Sequence, residues 1–175
     1  MADVILVVDM IRGFFEKKFP LYVGDECLGI IPNIRHLLNN GKASGSDIIF
    51  LCDCHAPDDL EFKMFPSHCI GGTEEVEIIP GLSEYPGDII YKQRYSGFFE
   101  TSLEEKLKAI QPEKLIVCGV ATNICVMHTV ADARNRYYIV EVPVDCVASF
   151  DPEAHQFALN HMEKVLGAKL TDSKD

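Results

Sequence analysis

The sequence predicts a single α/β domain over residues 1–175, a three-layer α/β/α arrangement around a mostly parallel sheet of roughly six strands. Two observations carry this. Val4–Val8, Ile48–Leu51 and Leu115–Cys118 are short, unbroken apolar runs with no polar alternation, the pattern of parallel strands covered on both faces. Between such runs lie longer segments with helical apolar spacing, the order that gives crossover helices. A chain of 175 residues, 47% hydrophobic, is long enough to fill such a core.

Composition then removes several function classes. Sixteen basic against 27 acidic residues give a net charge of −11, which argues against nucleic acid or anionic membranes as partners. No apolar run approaches the roughly 18 residues of a membrane span. The opening MADVILVVDM lacks a basic n-region and reads as a strand, not a signal peptide. Seven cysteines, an odd number without an export signal, predict reduced thiols and a cytoplasmic protein.

Taken in order, Val4–Val8 ends on Asp9, a carboxylate at the strand end where open α/β sheets bind ligands. The competing reading of Asp9 is a helix N-cap. Residues 28–40 place Leu28, Ile31, Ile34, Leu37 and Leu38 at helical spacing and are read as core. Ile48–Leu51 delivers Asp53 and His55, whose i, i+2 spacing puts both on one face of an extended chain. Glu61 and His68 follow in a loop containing Pro57 and Pro66. Two histidines and two carboxylates suit a borderline divalent ion such as zinc, manganese or iron, although loop residues of these types are common. No CxxC pair supports a thiolate site at Cys52, Cys54 and Cys69.

Glu74, Glu75 and Glu77 read as a solvated surface connection, and Asp88–Tyr91 as a strand ending on Lys92. Thr101 and Glu104 form a capping-box pattern for a helix carrying Leu103, Leu107 and Ile110, closed by Pro112. Leu115–Cys118 is followed by a turn at Gly119 and a helix with Cys125 in its early turns, running to about Asn135. A thiol among unpaired N–H groups at a helix N-terminus is expected below its usual pKa of about 8.5. Tyr138–Val142 reads as a strand. Asp151-Pro152 opens a last helix with Phe157, Leu159 and Met162, closed by Gly167, on which His155 and His161 read as satisfied or solvated. The tail after Leu170 reads as loose. If the strands ending on Asp9 and Lys92 flank the Cys125 turn, acid, base and thiol share one mouth.

The pattern resembles the cysteine hydrolase (isochorismatase-like) superfamily, and within it the nicotinamidases. The likeness rests on VVDM at Asp9, DCH at Asp53–His55, EFKMFPSH at Glu61–His68, KQRYSGF from Lys92 and GVATNICV around Cys125. The resemblance implies a catalytic Asp9, Lys92 and Cys125, and a divalent ion on Asp53, His55 and His68, zinc before manganese or iron. It implies Glu61 as an additional ligand, found in some members. It further implies a cis Val120–Ala121 bond that aims the Ala121 N–H, with that of Cys125, at an oxyanion, and ring-walling positions at Phe14, Phe65 and Tyr95. The expected reaction is hydrolysis of nicotinamide, and of pyrazinamide, to the acid and ammonia. The protein is expected to be a homo-oligomer. Alternatives are an amidase for carbamoyl or ureido substrates, which has no use for a ring-holding metal, an isochorismatase, and a thiol- and metal-binding protein without turnover.

Overall fold

The computed structural model describes residues 2–174. Seven strands, β1 (Val4–Val8), β2 (Asp47–Asp53), β3 (Asp88–Lys92), β4 (Leu115–Val120), β5 (Val140–Pro143), β6 (Val147–Ala148) and β7 (Lys169–Thr171), form one sheet in the order β3-β2-β1-β4-β5-β7. The short β6 lies against the far end of β4, beyond β5. All the ladders are parallel. The helices are α1 (Arg12–Phe15), α2 (Ile30–Ser44), α3 (Leu103–Ile110), α4 (Met127–Asn135) and α5 (Pro152–Lys164).

The central strand shows why these runs lack alternation. Ile5 and Val7 face a core with Ile34 and Leu38 of α2. Val4, Leu6 and Val8 face a second core, with Leu103 and Leu107 of α3, Val130 of α4 and Met162 of α5. Side chains still alternate across the strand, but both faces are covered, so every position is apolar. From β1 the chain moves outward through β2 to β3, then returns to the other side of β1 as β4. That reversal opens a crevice beyond the carboxyl ends of β1 and β4, with Asp9 following one strand and the Cys125 segment the other.

Several local expectations are corrected. Gly119 is no turn: it lies inside β4 with φ +114°, and the chain turns after a cis Val120–Ala121 bond. Cys125 then sits in a π-helical turn, Thr122–Val126, ahead of α4. Leu28 falls in a 3-10 turn before α2 and is exposed, and Ile30 takes the buried place. Thr101 and Glu104 make no capping box. Thr101 Oγ1 accepts from Leu103 N at 3.2 Å, while Glu104 pairs outward with Arg136 and Lys108. Asp151 does cap α5, accepting from the N–H groups of Glu153 and Ala154 at 3.0 Å. That helix buries Ala158, Leu159 and Met162, one i, i+1, i+4 face, which turns Phe157 outward against His161. It ends at Lys164, and Gly167 makes a left-handed bend (φ +70°) three residues on. The expected strand at 138–142 starts at Val140, and β6 and β7 were not foreseen. The tail is tied down as well: Ser173 donates its N–H to Asp145 Oδ1 at 2.9 Å and its hydroxyl to Oδ2 at 2.5 Å. Glu74 and Glu77 are exposed, as a surface connection requires, and ion-pair there with Arg12.

At Gly119, β4 lies in register with Val8 of β1 and leaves no room for a side chain. A Cβ there would lie 2.0 Å from the Val8 carbonyl oxygen, in a backbone conformation L residues avoid. Gly119→Ala should therefore cost more than about 4 kcal/mol. Gly45→Ala, at a left-handed helix cap with nothing within 4 Å, should cost about 1 kcal/mol. Urea midpoints of the two variants check this; equal losses would refute the close-approach account.

Candidate active site

Lys92, 1% exposed, ends the edge strand β3 in register with Asp53 and reaches across to the mouth of β1 and β4. Its Nζ stands 3.0 Å from Asp9 Oδ2, hydrogen-bonds Asp53 Oδ1, and donates to the Arg94 carbonyl at 3.1 Å and to Cys125 Sγ at 3.5 Å. Asp9 is held from the backbone: its N–H donates to Leu51 O at 2.8 Å, and its Oδ1 accepts from Asp53 N at 2.9 Å. It does not cap a helix, because α1 starts after Ile11. The three residues expected to meet do meet, with Asp53 as a fourth member.

The charges follow from this packing. Burial and the neighbouring Asp53 carboxylate raise the Asp9 carboxyl to about 6, against the pull of Lys92. For Asp53, burial is outweighed by the charge and hydrogen bond of Lys92 and by the facing His55 ring, so its carboxyl lies below the usual range. For Lys92, burial is likewise outweighed by the two carboxylates, and the ammonium is held well above its usual pKa. Cys125 departs from expectation. Burial and the Asp9 charge push the thiol well up, more than Lys92 draws it down. The thiol lies deep in the fold beside a carboxylate, and that environment dominates over helix-end N–H groups. At neutral pH the site therefore rests as thiol, carboxylate and ammonium.

Beside this group, one ligand atom from each of Asp53, His55 and His68 lies within 4.8 Å of the others. Both rings are anchored through Nδ1, His55 to Asp59 Oδ2 at 3.0 Å and His68 to Pro66 O at 2.8 Å. Nε2 of His55 then faces Asp53 Oδ2 at 3.7 Å, and Nε2 of His68 faces Glu61 Oε1 at 3.8 Å. His55 Nε2 and Glu61 Oε2 are buried with no hydrogen-bond partner. Orphaned buried polar atoms are costly. Two imidazole nitrogens fixed from behind, facing carboxylates, fit a borderline divalent ion. The Asp53 and Asp59 carboxylates outweigh burial and raise His55 to about 9, so the cluster favours positive charge at this ring. Glu61 stands beside the trio of ligand atoms, nearest His68.

Both groups open onto one cavity of about 210 Å³. Its lining includes Asp9, Asp53, Glu61, His68, Ala121 and Cys125, with Phe14, Phe65 and Tyr95 among the walls. Lys92 and His55 stand behind that lining. Pro20–Val23 and Phe150 also wall the cavity and carry no signal in the sequence that would have singled them out. Asp59 was also missed. Its four-residue offset from His55 was the available clue.

The isochorismatase domain family matches residues 3–175. Nicotinamidase/pyrazinamidase PncA from Bacillus subtilis is 32% identical and superposes with a TM-score of 0.92, covering 98% of this chain and 100% of that one. A pyrazinamidase of Pyrococcus horikoshii, solved in complex with zinc, is 31% identical with a TM-score of 0.89 over 98% of this chain and 99% of its own. N-carbamoylsarcosine amidase from Thermoplasma acidophilum is 30% identical with a TM-score of 0.90 over 100% of this chain and 98% of its own. With the whole fold and nearly the whole sequence matched, the chain belongs to the isochorismatase-like cysteine hydrolase superfamily.

Proposed function

We propose that this hydrolase is a nicotinamidase, converting nicotinamide to nicotinate and ammonia through a thioester on Cys125, with pyrazinamide as a second substrate. The observation that carries the reading is one cavity lined both by Asp9 with Cys125 and by Asp53, Glu61 and His68, between apolar walls. A flat ring with a basic nitrogen and a carboxamide uses both groups at once. In this reading Asp53, His55 and His68, with Glu61 beside them, would hold a divalent ion, zinc before manganese or iron, which would supply a Lewis acid for a ring nitrogen and so orient the carboxamide.

The protein's own groups carry the bond changes. Asp9 accepts the Cys125 proton as sulfur attacks the amide carbon, and the new thiolate character faces the Lys92 ammonium. Backbone N–H groups of Ala121 and Cys125 are assigned to the oxyanion, each worth about 3 kcal/mol. Asp9 returns its proton to the departing nitrogen, which leaves as ammonia. A water deprotonated by Asp9 then attacks the thioester, releasing the acid and restoring the thiol. Phe14, Phe65 and Tyr95 confine the ring. A carbamoyl or ureido amidase is the second reading, favoured by the likeness to N-carbamoylsarcosine amidase.

Ammonia release from nicotinamide, pyrazinamide, a carbamoylated amine and ureidoacrylate, with and without chelator, tests the choice. The proposal expects chelator-sensitive turnover of the two ring amides; turnover of only the carbamoyl or ureido substrates, unaffected by chelator, would select the second reading. Cys125→Ala should lower ammonia release by about three orders of magnitude or more with metal content unchanged. Near-normal turnover in that variant would remove Cys125 from the chemistry. Lys92→Met should cost roughly 3–5 kcal/mol in denaturant unfolding, because it strands two buried carboxylates without a countercharge. A loss below about 1 kcal/mol would refute that electrostatic role.

A further inference from the structure

We propose that Arg94 is a positioning residue for the metal site, acting through Asp59 on the His55 ring. This rests on the metal-site reading given above and extends it to a residue outside both the cavity lining and the Asp53, His55 and His68 trio. Arg94 Nη1 donates to both Asp59 oxygens at 3.0 Å. Asp59 Oδ1 also accepts from Glu61 N at 2.9 Å, and Oδ2 from His55 Nδ1 at 3.0 Å. Each carboxylate oxygen therefore has two partners. An acceptor-only group opposite Nδ1 places the hydrogen there and leaves Nε2 facing Asp53.

The chain runs inward from solvent. The Arg94 side chain is 37% exposed, that of Asp59 3%, and that of His55 0%. Without the guanidinium, Asp59 would be a buried carboxylate with no fixed cation, held only by the backbone of its own turn and by the ring it is meant to orient. Outer partners of ligand histidines usually matter by 10–100-fold in metal affinity. The same guanidinium lies 3.7 Å from Glu61 Oε2, so it borders both carboxylates of the loop. The backbone of Arg94 serves the other half of the site, since its carbonyl accepts from Lys92 Nζ at 3.1 Å. Side-chain substitution keeps that contact and, at a partly exposed position, opens no core cavity.

The test strips the full-length protein of metal and titrates it with Zn²⁺ against a chelating dye, and with Co²⁺ followed by its visible absorption. Arg94→Met and Asp59→Asn should each weaken Zn²⁺ binding by about 10–100-fold. Their double variant should be little weaker than Asp59→Asn alone, since both act along one path. The Co²⁺ spectrum should change with the ring geometry, and the metal-free melting midpoint of Arg94→Met should fall less than that of Lys92→Met, because the Arg94 end of the chain is open to solvent. Arg94→Gln, which keeps length and a donor without charge, serves the same comparison if Arg94→Met folds poorly. Wild-type protein that binds Zn²⁺ while the Arg94 variants bind it equally tightly overturns the role of Arg94 alone, as does a fall in midpoint with unchanged affinity. Wild-type protein that takes up neither Zn²⁺ nor Co²⁺ overturns the metal reading and this inference with it.

Discussion

The buried ammonium of Lys92 is the constraint on which the site depends. Two buried carboxylates and a buried thiol converge on it, and an isolated charge in such a place would cost several kcal/mol. Lys92 makes the burial of Asp9 and Asp53 tolerable and also makes their behaviour differ. Asp53 is held ionised and faces His55, while Asp9, squeezed between burial and a like charge, is raised to about 6 and can exchange a proton near neutrality. One cation thus separates two chemically identical side chains into a fixed anion and a proton carrier.

The fold supplies this convergence through strand order. Asp9, Asp53 and Lys92 end or follow three adjacent strands, β1, β2 and β3, and Cys125 follows β4 on the other side of β1. Because all four strands are parallel, their carboxyl ends face the same way, and residues distant in sequence meet without long loops. Asp53 belongs to both halves of the site, bonded to Lys92 on one side and facing His55 on the other. The acid–thiol group and the candidate metal cluster are therefore one electrostatic unit. That unit belongs to an isochorismatase-family hydrolase, and the choice of amide rests on the cavity walls.

Much of this was legible in the sequence because each chemical group terminates an apolar run. Val4–Val8 points to Asp9, the run at 48–51 to Asp53 and His55, and the run at 88–91 to Lys92, and parallel topology turns those positions into neighbours. The electrostatics of Cys125 were not legible. A helix-end argument sees local N–H groups, whereas its pKa is governed by depth and by Asp9, more than one hundred residues away in sequence. Gly119 was misread as a turn because a glycine after an apolar run usually is one; here it lets β4 pass against the Val8 carbonyl. Strands β6 and β7 are two and three residues long, too short for any period to show. Arg94 escaped because a residue that holds a ligand's far side from a distant segment has no spacing rule of its own, and Asp59 because its four-residue offset from His55 lies in a loop, where such pairs are common.

Alkylation of Cys125 tests the central claim most directly. The protein is treated with a limiting series of iodoacetamide, the modified cysteine is located by peptide mapping, and ammonia release from nicotinamide is measured on the same samples. The account predicts that activity falls in proportion to modification of Cys125, whatever the extent of reaction at the half-exposed Cys54, and that nicotinamide slows the loss. Full alkylation of Cys125 with turnover intact would contradict it.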